Sequence, residues 1–342
     1  MTEKRTEISE LGEFGLIENI KSKVKLIHPR SIYGIGDDAA VIDNGEEVIL
    51  VTSDMLTEGV HFDLAYTPLI HLGYKAVAVN VSDIAAMNGI PGQITVSLGL
   101  SNRFSVEAVE ELYQGIRLAC ANYKIDLVGG DTTSSRAGLI ISITAIGYAK
   151  KTEVCYRNTA KANDLLCVTG DLAGAYIGLQ LLEREKQVYM ANPAMQPELE
   201  GKDYMVQRQL KPEARMDVIY ELRELGVTPT AMIDISDGLA SEVMHLCKNS
   251  NLGAVIMEDK LPIDEQTYEA AREFNLEPLT CILNGGEDYE LLFTIKQDDF
   301  AKLRNHPDIT VIGLMKEPDA GVHVVTKAGN SFPLKAQGWV HF

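Results

Sequence analysis

Apolar and polar positions divide the chain into short β-branched runs, longer stretches of helical period and polar breaks. Leu11, Phe14, Ile17 and Ile20 recur every third residue, which predicts one or two amphipathic helices over 8–28. Residues 48–52 are apolar and β-branched, so a buried strand is expected there, ending in Ser53-Asp54. Residues 68–87 read as an alanine-rich helix with Asn80, Asp83 and Met87 on one face. A strand over 94–100 and an amphipathic helix over 106–123 follow. A short strand, 126–128, then enters Gly129-Gly130-Asp131-Thr132-Thr133, and another strand spans 139–148.

The polar stretch 150–164 marks the expected domain boundary. Beyond it lie a strand (165–169), a turn at 170–174 and a helix through 182. Residues 185–212, interrupted by Pro193, Pro197 and Pro212, suggest an exposed helical or irregular excursion. A helix over 213–225 precedes a strand over 231–235 that ends in Ser236-Asp237-Gly238, then a helix over 239–248. Residues 284–289 lead into a strand over 290–295, and the rest alternates to the tail Gly338-Trp339-Val340-His341-Phe342. No fixed-period repeat is present. The pattern predicts an α+β protein of two domains, 1–150 and 151–342.

Charge alters this ordinary picture. The 342 residues carry a net charge of −18, which argues against binding nucleic acid or an anionic membrane, since both require a basic patch. It equally opposes any phosphate ligand unless cations intervene. The five cysteines are scattered, odd in number and without a CxxC pair, as expected of free thiols in a reducing cytoplasm. No run reaches the roughly 18 apolar residues of a membrane span, and residues 1–10 lack a signal-peptide core. A cytoplasmic location is therefore expected.

Six places share one grammar, an acid at a strand end or on a helix face, usually beside glycine or a hydroxyl. They are Asp37-Asp38, Thr52-Ser53-Asp54, Asp83, Asp131, Asp234 with Asp237, and Glu287-Asp288. Magnesium takes oxygen ligands, one or two carboxylates at a time together with substrate phosphates, so several ions on a polyphosphate would use about this many acids. Each acid alone has a plainer reading as a turn former or helix cap, Asp234 and Asp237 included. Asp83 is harder to explain so, because a charge within an apolar helix needs a partner or a metal. A GxxxxGK[ST] loop, a GxGxxG strand turn, the protein-kinase signatures and an HExxH pair are all missing. Any nucleotide would then be held through metal ions and backbone amides, which also reconciles the acidic chain with an anionic ligand.

These motifs, in order from Gly12-Glu13-Phe14 to Trp339-Val340-His341-Phe342, resemble the thiamine-monophosphate kinases. Those enzymes are grouped with aminoimidazole-ribonucleotide synthetase and selenophosphate synthetase. The resemblance is carried by residues 34–40, 52–62, 75–87, 129–132, 234–239 and 285–292. It implies transfer of the ATP γ-phosphoryl to thiamine monophosphate, giving thiamine diphosphate. It implies magnesium, several ions, at Asp38, Thr52, Ser53, Asp54, Asp83, Asp131, Asp234 and Asp237. ATP would meet Gly130, Asp131, Arg157 and Ser236, and thiamine monophosphate would meet His61, Glu287 and Trp339. Asp37 and Asp288 are read as supporting acids. It further implies a homodimer whose N-terminal domains form a shared β-barrel, with a sandwich-like C-terminal α/β domain completing the site.

Residue chemistry also supplies plainer readings: a surface ion pair for Arg157, a structural role for His61 and a tail anchor for Trp339. With an ionised phosphate oxygen as nucleophile, direct in-line transfer needs no strong general base. Among rivals, selenophosphate synthetase would carry a reactive cysteine near the N-terminus, whereas the first here is Cys120. The hydrogenase-maturation relative would end in cysteine, and this chain ends in Phe342. The aromatic tail speaks against aminoimidazole-ribonucleotide synthetase. A non-catalytic magnesium–nucleotide binder is the rival from another class.

Overall fold

The computed structural model describes residues 7–337, so Trp339 and the tail motif lie outside the described residues. The first half runs α1 (Ile8–Lys21), β1 (Ser31–Tyr33), β2 (Ala40–Asn44), β3 (Glu47–Thr57), α2 (Leu69–Ala86), β4 (Ile90–Leu100), α3 (Val106–Tyr123), β5 (Asp126–Ser134) and β6 (Ile140–Lys150). Its six strands form one sheet in the order β1-β2-β3-β6-β4-β5, antiparallel except for the β4–β5 edge. The second half runs β7 (Leu165–Thr169), α4 (Gly174–Ala191), α5 (Asp203–Leu210), α6 (Met216–Glu224), β8 (Ala231–Asp234), α7 (Leu239–Ser250) and β9 (Gly253–Met257). It continues with α8 (Glu265–Glu273), α9 (Pro278–Asn284), β10 (Leu291–Ile295), α10 (Phe300–Leu303), β11 (Ile309–Lys316), β12 (Val322–Val325) and β13 (Ser331–Pro333). The second sheet has seven strands in the order β13-β12-β9-β11-β7-β10-β8.

α2 is the axis of the molecule. It packs on β3, β4 and β6 on one side and on β8, α5 and α6 on the other, so every residue from Leu72 to Ala86 except Asp83 is buried. This explains its near-continuous apolar sequence. α3 lies against it so closely that a methyl on Gly115 would sit 1.9 Å from the Ile70 carbonyl oxygen, and one on Gly73 2.0 Å from that of Leu112. Ser105 caps α3 by accepting from the Ala108 N–H, and Lys124 ends it in a left-handed turn. Alternate residues of the second sheet feed two cores. Cys167, Met232 and Phe293 face the α2 side, while Leu166, Val168, Ile233 and Leu292 face the layer containing α4 and α7.

Several expectations need correction. α1 ends at Lys21 and breaks at Gly12 (φ +66), so helix does not extend to residue 28. The strand expected to end at Ser53-Asp54 continues to Thr57, because its partner β6 is long enough to pair every residue of it. Strand pairing with β4 likewise absorbs Gly129–Thr133 into β5. α4 runs on to Ala191, and the excursion that follows contains α5, which buries Met205, Gln209 and Leu210. The stretch is thus partly core, whatever its prolines suggest. α6 begins at Met216, three residues later than expected.

Candidate active site between the two sheets

The acids converge where α2 passes between the sheets. Strand alternation turns Thr52 and Asp54 toward the helix. The Asn80 side-chain oxygen accepts the Asp54 backbone N–H at 3.1 Å, and Thr52 Oγ1 donates to Asp83 Oδ2 at 2.5 Å. From the other sheet, Asp234 at the end of β8 accepts from Ser82 Oγ at 2.6 Å. Carboxylate oxygens of Asp38, Asp83 and Asp234 lie within 4.8 Å of one another. Asp38 Oδ2 is buried without a hydrogen-bond partner, an orphan that a hard cation would satisfy. Oxygen-only donors of this kind suit magnesium.

The electrostatics record the crowding. Burial, then Asp54, Asp234 and Asp38 in turn, holds the Asp83 carboxyl well above its ordinary range. Burial and then the neighbouring Asp38 push Asp234 up to about 7, against the opposing pull of the Ser82 hydrogen bond. The same two causes lift Asp54 to about 6. Asp37 rises to about 7, through burial and then Asp38, although Arg157 pulls it the other way. Divalent charge among these groups would reverse the penalty.

Arg157 is drawn into the same acids. Its guanidinium donates from Nη2 to Asp38 Oδ1 at 2.5 Å, and its backbone N–H lies 3.3 Å from Asp37 Oδ2. Asp37 therefore shapes the loop, and neither Arg157 contact is a surface ion pair. Asp288 likewise binds backbone: its carboxylate accepts the N–H groups of Ala173 and Ala175 at the start of α4. The N-cap position of α7 is occupied by Gly238, not by Asp234 or Asp237.

Other expected site residues stand apart from the three converging acids. Ser53 points to the opposite face of its strand from Thr52 and Asp54, where its hydroxyl meets the Ile143 carbonyl and Thr144 Oγ1. Asp131 lies on the exposed edge strand β5, in a hollow of about 260 Å³ that it shares with Ser97, Thr133 and Ser142. Gly130 is needed there for packing, since a methyl would fall 1.8 Å from the Val96 carbonyl oxygen and φ is +158°. His61 Nδ1 accepts the Thr57 N–H at 3.0 Å and closes the turn after β3. Ser236 is exposed just beyond β8. Glu287 has a left-handed backbone (φ +65) and ties α2 to α5, through Lys75 at 2.9 Å and Gln209 at 2.6 Å.

Four further residues at the site are not among those expected from the sequence. Ser82 anchors Asp234. Glu242, in the first turn of α7, accepts the N–H groups of Ser236 (3.2 Å) and Asp237 (2.9 Å) with Oε1, fixing that loop. Tyr289, buried and also left-handed (φ +52), has its hydroxyl pushed well upward by burial, then by Glu287, Asp54, Asp234 and Asp83. Lys75 is the fourth. It had a legible signal, being the one cation in an apolar helix whose only acid is Asp83.

Comparison with known proteins accords with this geometry. The family described as AIR synthase related protein matches residues 36–149 with its N-terminal domain and 161–324 with its C-terminal domain. A thiamine-monophosphate kinase of Aquifex aeolicus (strain VF5) is 36% identical over 98% of this chain and 99% of its own length. One from Bacillus subtilis (strain 168) is 34% identical over 97% of this chain and 100% of its own. A solved structure described as AaThiL complexed with AMPPCP and TMP superposes with a TM-score of 0.83 at 33% identity, covering 99% of each chain.

Proposed function

The chain belongs to the thiamine-monophosphate kinase family, and we propose that it phosphorylates thiamine monophosphate with ATP, yielding thiamine diphosphate and ADP. The observation that carries the reading is the meeting of Asp38, Asp83 and Asp234, with Asp54 beside them, at the seam of the two sheets. The relative described with AMPPCP, an ATP analogue, and TMP supports the choice of substrates. We take residues 1–150 and 151–342 as the two domains, the site lying between them. The N-terminal sheet leaves β5 entirely exposed, along with Met55 on its outer face, which supports a homodimer closed through that sheet into a shared β-barrel. No helix among the described residues is long and apolar enough to cross a membrane; the work is assigned to the cytoplasm.

In this mechanism the terminal phosphate oxygen of thiamine monophosphate, already ionised, attacks the γ-phosphorus in line, and ADP leaves. No residue has to remove a proton from the nucleophile. Magnesium ions, when bound, would neutralise charge on the transferring phosphoryl group. Asp38, Asp54, Asp83 and Asp234 would hold them, with Thr52 and Asp237 alongside; Ser53 and Asp131, on the outer face of the sheet, stand outside this cluster. Ser82 and Asn80 keep the acids in place by the bonds described above. Arg157 supplies a fork suited to phosphate as well as to carboxylate. Glu287, His61 and Trp339 are assigned to the thiamine moiety, and Gly130 and Ser236 to the nucleotide.

The test is a coupled ADP-release assay with thiamine monophosphate, free thiamine and aminoimidazole precursors, each with magnesium and with chelator. ADP release only with thiamine monophosphate and magnesium is expected. Release only with another acceptor would move the protein to a different activity, and binding of MgATP without release would make it a non-catalytic binder.

A further inference from the structure

Lys75 is 2% exposed, yet it is the only cation of α2. Its Nζ lies 2.9 Å from Glu287 Oε1 and 3.4 Å from the Gln209 carbonyl oxygen. Gln209 in turn donates its side-chain amide to Glu287 Oε2 at 2.6 Å. Both carboxylate oxygens are thus gripped, one from α2 and one from α5. The Glu287 side chain nevertheless keeps 25% of its surface open. A carboxylate has about four acceptor positions, so two are spent inside the protein and the others are available at the opening. The backbone is also constrained. Glu287 sits at φ +65, two residues before Tyr289 at φ +52, and its N–H is tied to the Ser236 carbonyl at 2.7 Å. Two side-chain residues in left-handed conformation within one short loop are strain that the surroundings must hold in place.

Stability gives little reason for such a lysine. Removing an ammonium from water is expensive, and a buried ion pair seldom outperforms an apolar side chain of the same length. What a two-point grip does provide is a carboxylate of fixed plane and direction. We propose that Lys75 and Gln209 are positioning residues: they hold Glu287 as a preoriented acceptor for an N–H donor of the phosphoryl acceptor, the exocyclic amine of its aminopyrimidine ring. Lys75 also offsets the Glu287 charge in a site that must admit phosphate. This rests on the function proposed above and adds to it the part of the substrate that Glu287 reads.

The experiment measures KM for thiamine monophosphate and for MgATP separately, in the wild type, Lys75→Met, Lys75→Arg, Glu287→Gln and the double variant Lys75→Met/Glu287→Gln. Losing an oriented, charge-assisted contact should raise KM for thiamine monophosphate about tenfold or more in Lys75→Met, with KM for MgATP within about twofold. Lys75→Arg should recover part of the loss. The double variant should be no worse than Glu287→Gln alone, because both act through one carboxylate. Should Lys75→Met fail to fold, Gln209→Leu reads the same grip from the other oxygen and should raise the same KM. Unchanged KM for thiamine monophosphate, equal rises in both KM values, or multiplying losses in the double variant would overturn the inference. A wild type that turns over thiamine monophosphate while the variants behave like it defeats this inference alone. A wild type that neither binds nor phosphorylates it defeats both readings.

Discussion

Replacing Asp234 with asparagine should stabilise the metal-free protein while abolishing its activity. Asp234 is almost wholly buried and shares its surroundings with Asp38 and Asp83, their oxygens within 4.8 Å of one another. At that distance two carboxylates repel by about 3.5 kcal/mol at an effective dielectric of about 20. The second measure is the carboxyl's own rise from 3.8 to about 7. At 1.36 kcal/mol per pH unit this amounts to about 4 kcal/mol once the pH exceeds 7. The sign follows from the proton: the folded state holds it more tightly than the unfolded chain. Its contribution is full below about pH 4 and is lost as the pH climbs through about 7. Asparagine never ionises, keeps an oxygen for Ser82 Oγ, and can turn its N–H groups toward the neighbouring acids. Urea denaturation in chelator should therefore show the variant and the wild type nearly equal at pH 4. They should diverge to about 2–4 kcal/mol in the variant's favour at pH 8, the lower end reflecting protons shared among the acids. Added magnesium should narrow the gap by stabilising only the wild type. A variant less stable than wild type in chelator at pH 8, or a difference independent of pH, would refute the reasoning.

The other predictions concern neighbouring parts of the fold. Asp54→Ala should lower kcat by about a thousandfold or more at saturating magnesium, with no loss of melting temperature, because its backbone bond to Asn80 survives; normal turnover in an ADP-release assay would contradict the site. Gly115→Ala drives a methyl to within 1.9 Å of the Ile70 carbonyl oxygen, so α2 and α3 must part. Chemical denaturation should show a loss of about 1–3 kcal/mol. Arg208→Met removes a guanidinium that bonds Glu290 at 2.7 Å and lies 3.6 Å from Asp288. Glu290 retains Arg215 at 2.7 Å, so the expected loss is about 3 kcal/mol, the low end for breaking a buried pair, read from the urea midpoint.

Much of the site was legible because its acids are out of place. Asp83 in an apolar helix, Asp234 closing a strand and Asp38 behind two glycines each break the pattern around them. The structure brings those three together. The faces on which side chains emerge were not legible, because strand length depends on the partner. With β3 ended at Asp54, Ser53 reads as a loop neighbour of Thr52; paired along its whole length with β6, it stands on the opposite face. Asp131 is similar, since the glycines before it suggested a loop while pairing with β4 made an edge strand. Glu242 has no sequence signature, because it reaches back across a loop to N–H groups five and six residues earlier.

The plan that follows from α2 explains why an acidic chain can host this site at all. One helix carries Lys75, Asn80, Ser82 and Asp83, and both sheets close on it. The side turned to the second sheet delivers Lys75 to Glu287 and Ser82 to Asp234, while Asn80 meets Asp54 of the first sheet. The spacing of these groups is thus set by helical geometry and a close-packed core, which yields little to carboxylate repulsion. Repulsion is expressed instead as raised proton affinity, a form that a divalent cation can exploit by displacing protons. The Gly36-Asp37-Asp38 loop alone reaches the cluster without such a rigid base. Its acids are held by Arg157, from the segment that joins the two sheets. A cation that loosened Asp38 from Arg157 would free the guanidinium for phosphate. On the function proposed above, metal capture and nucleotide grip would be linked through one carboxylate, and Arg157→Lys should weaken MgATP binding more than it weakens magnesium binding alone.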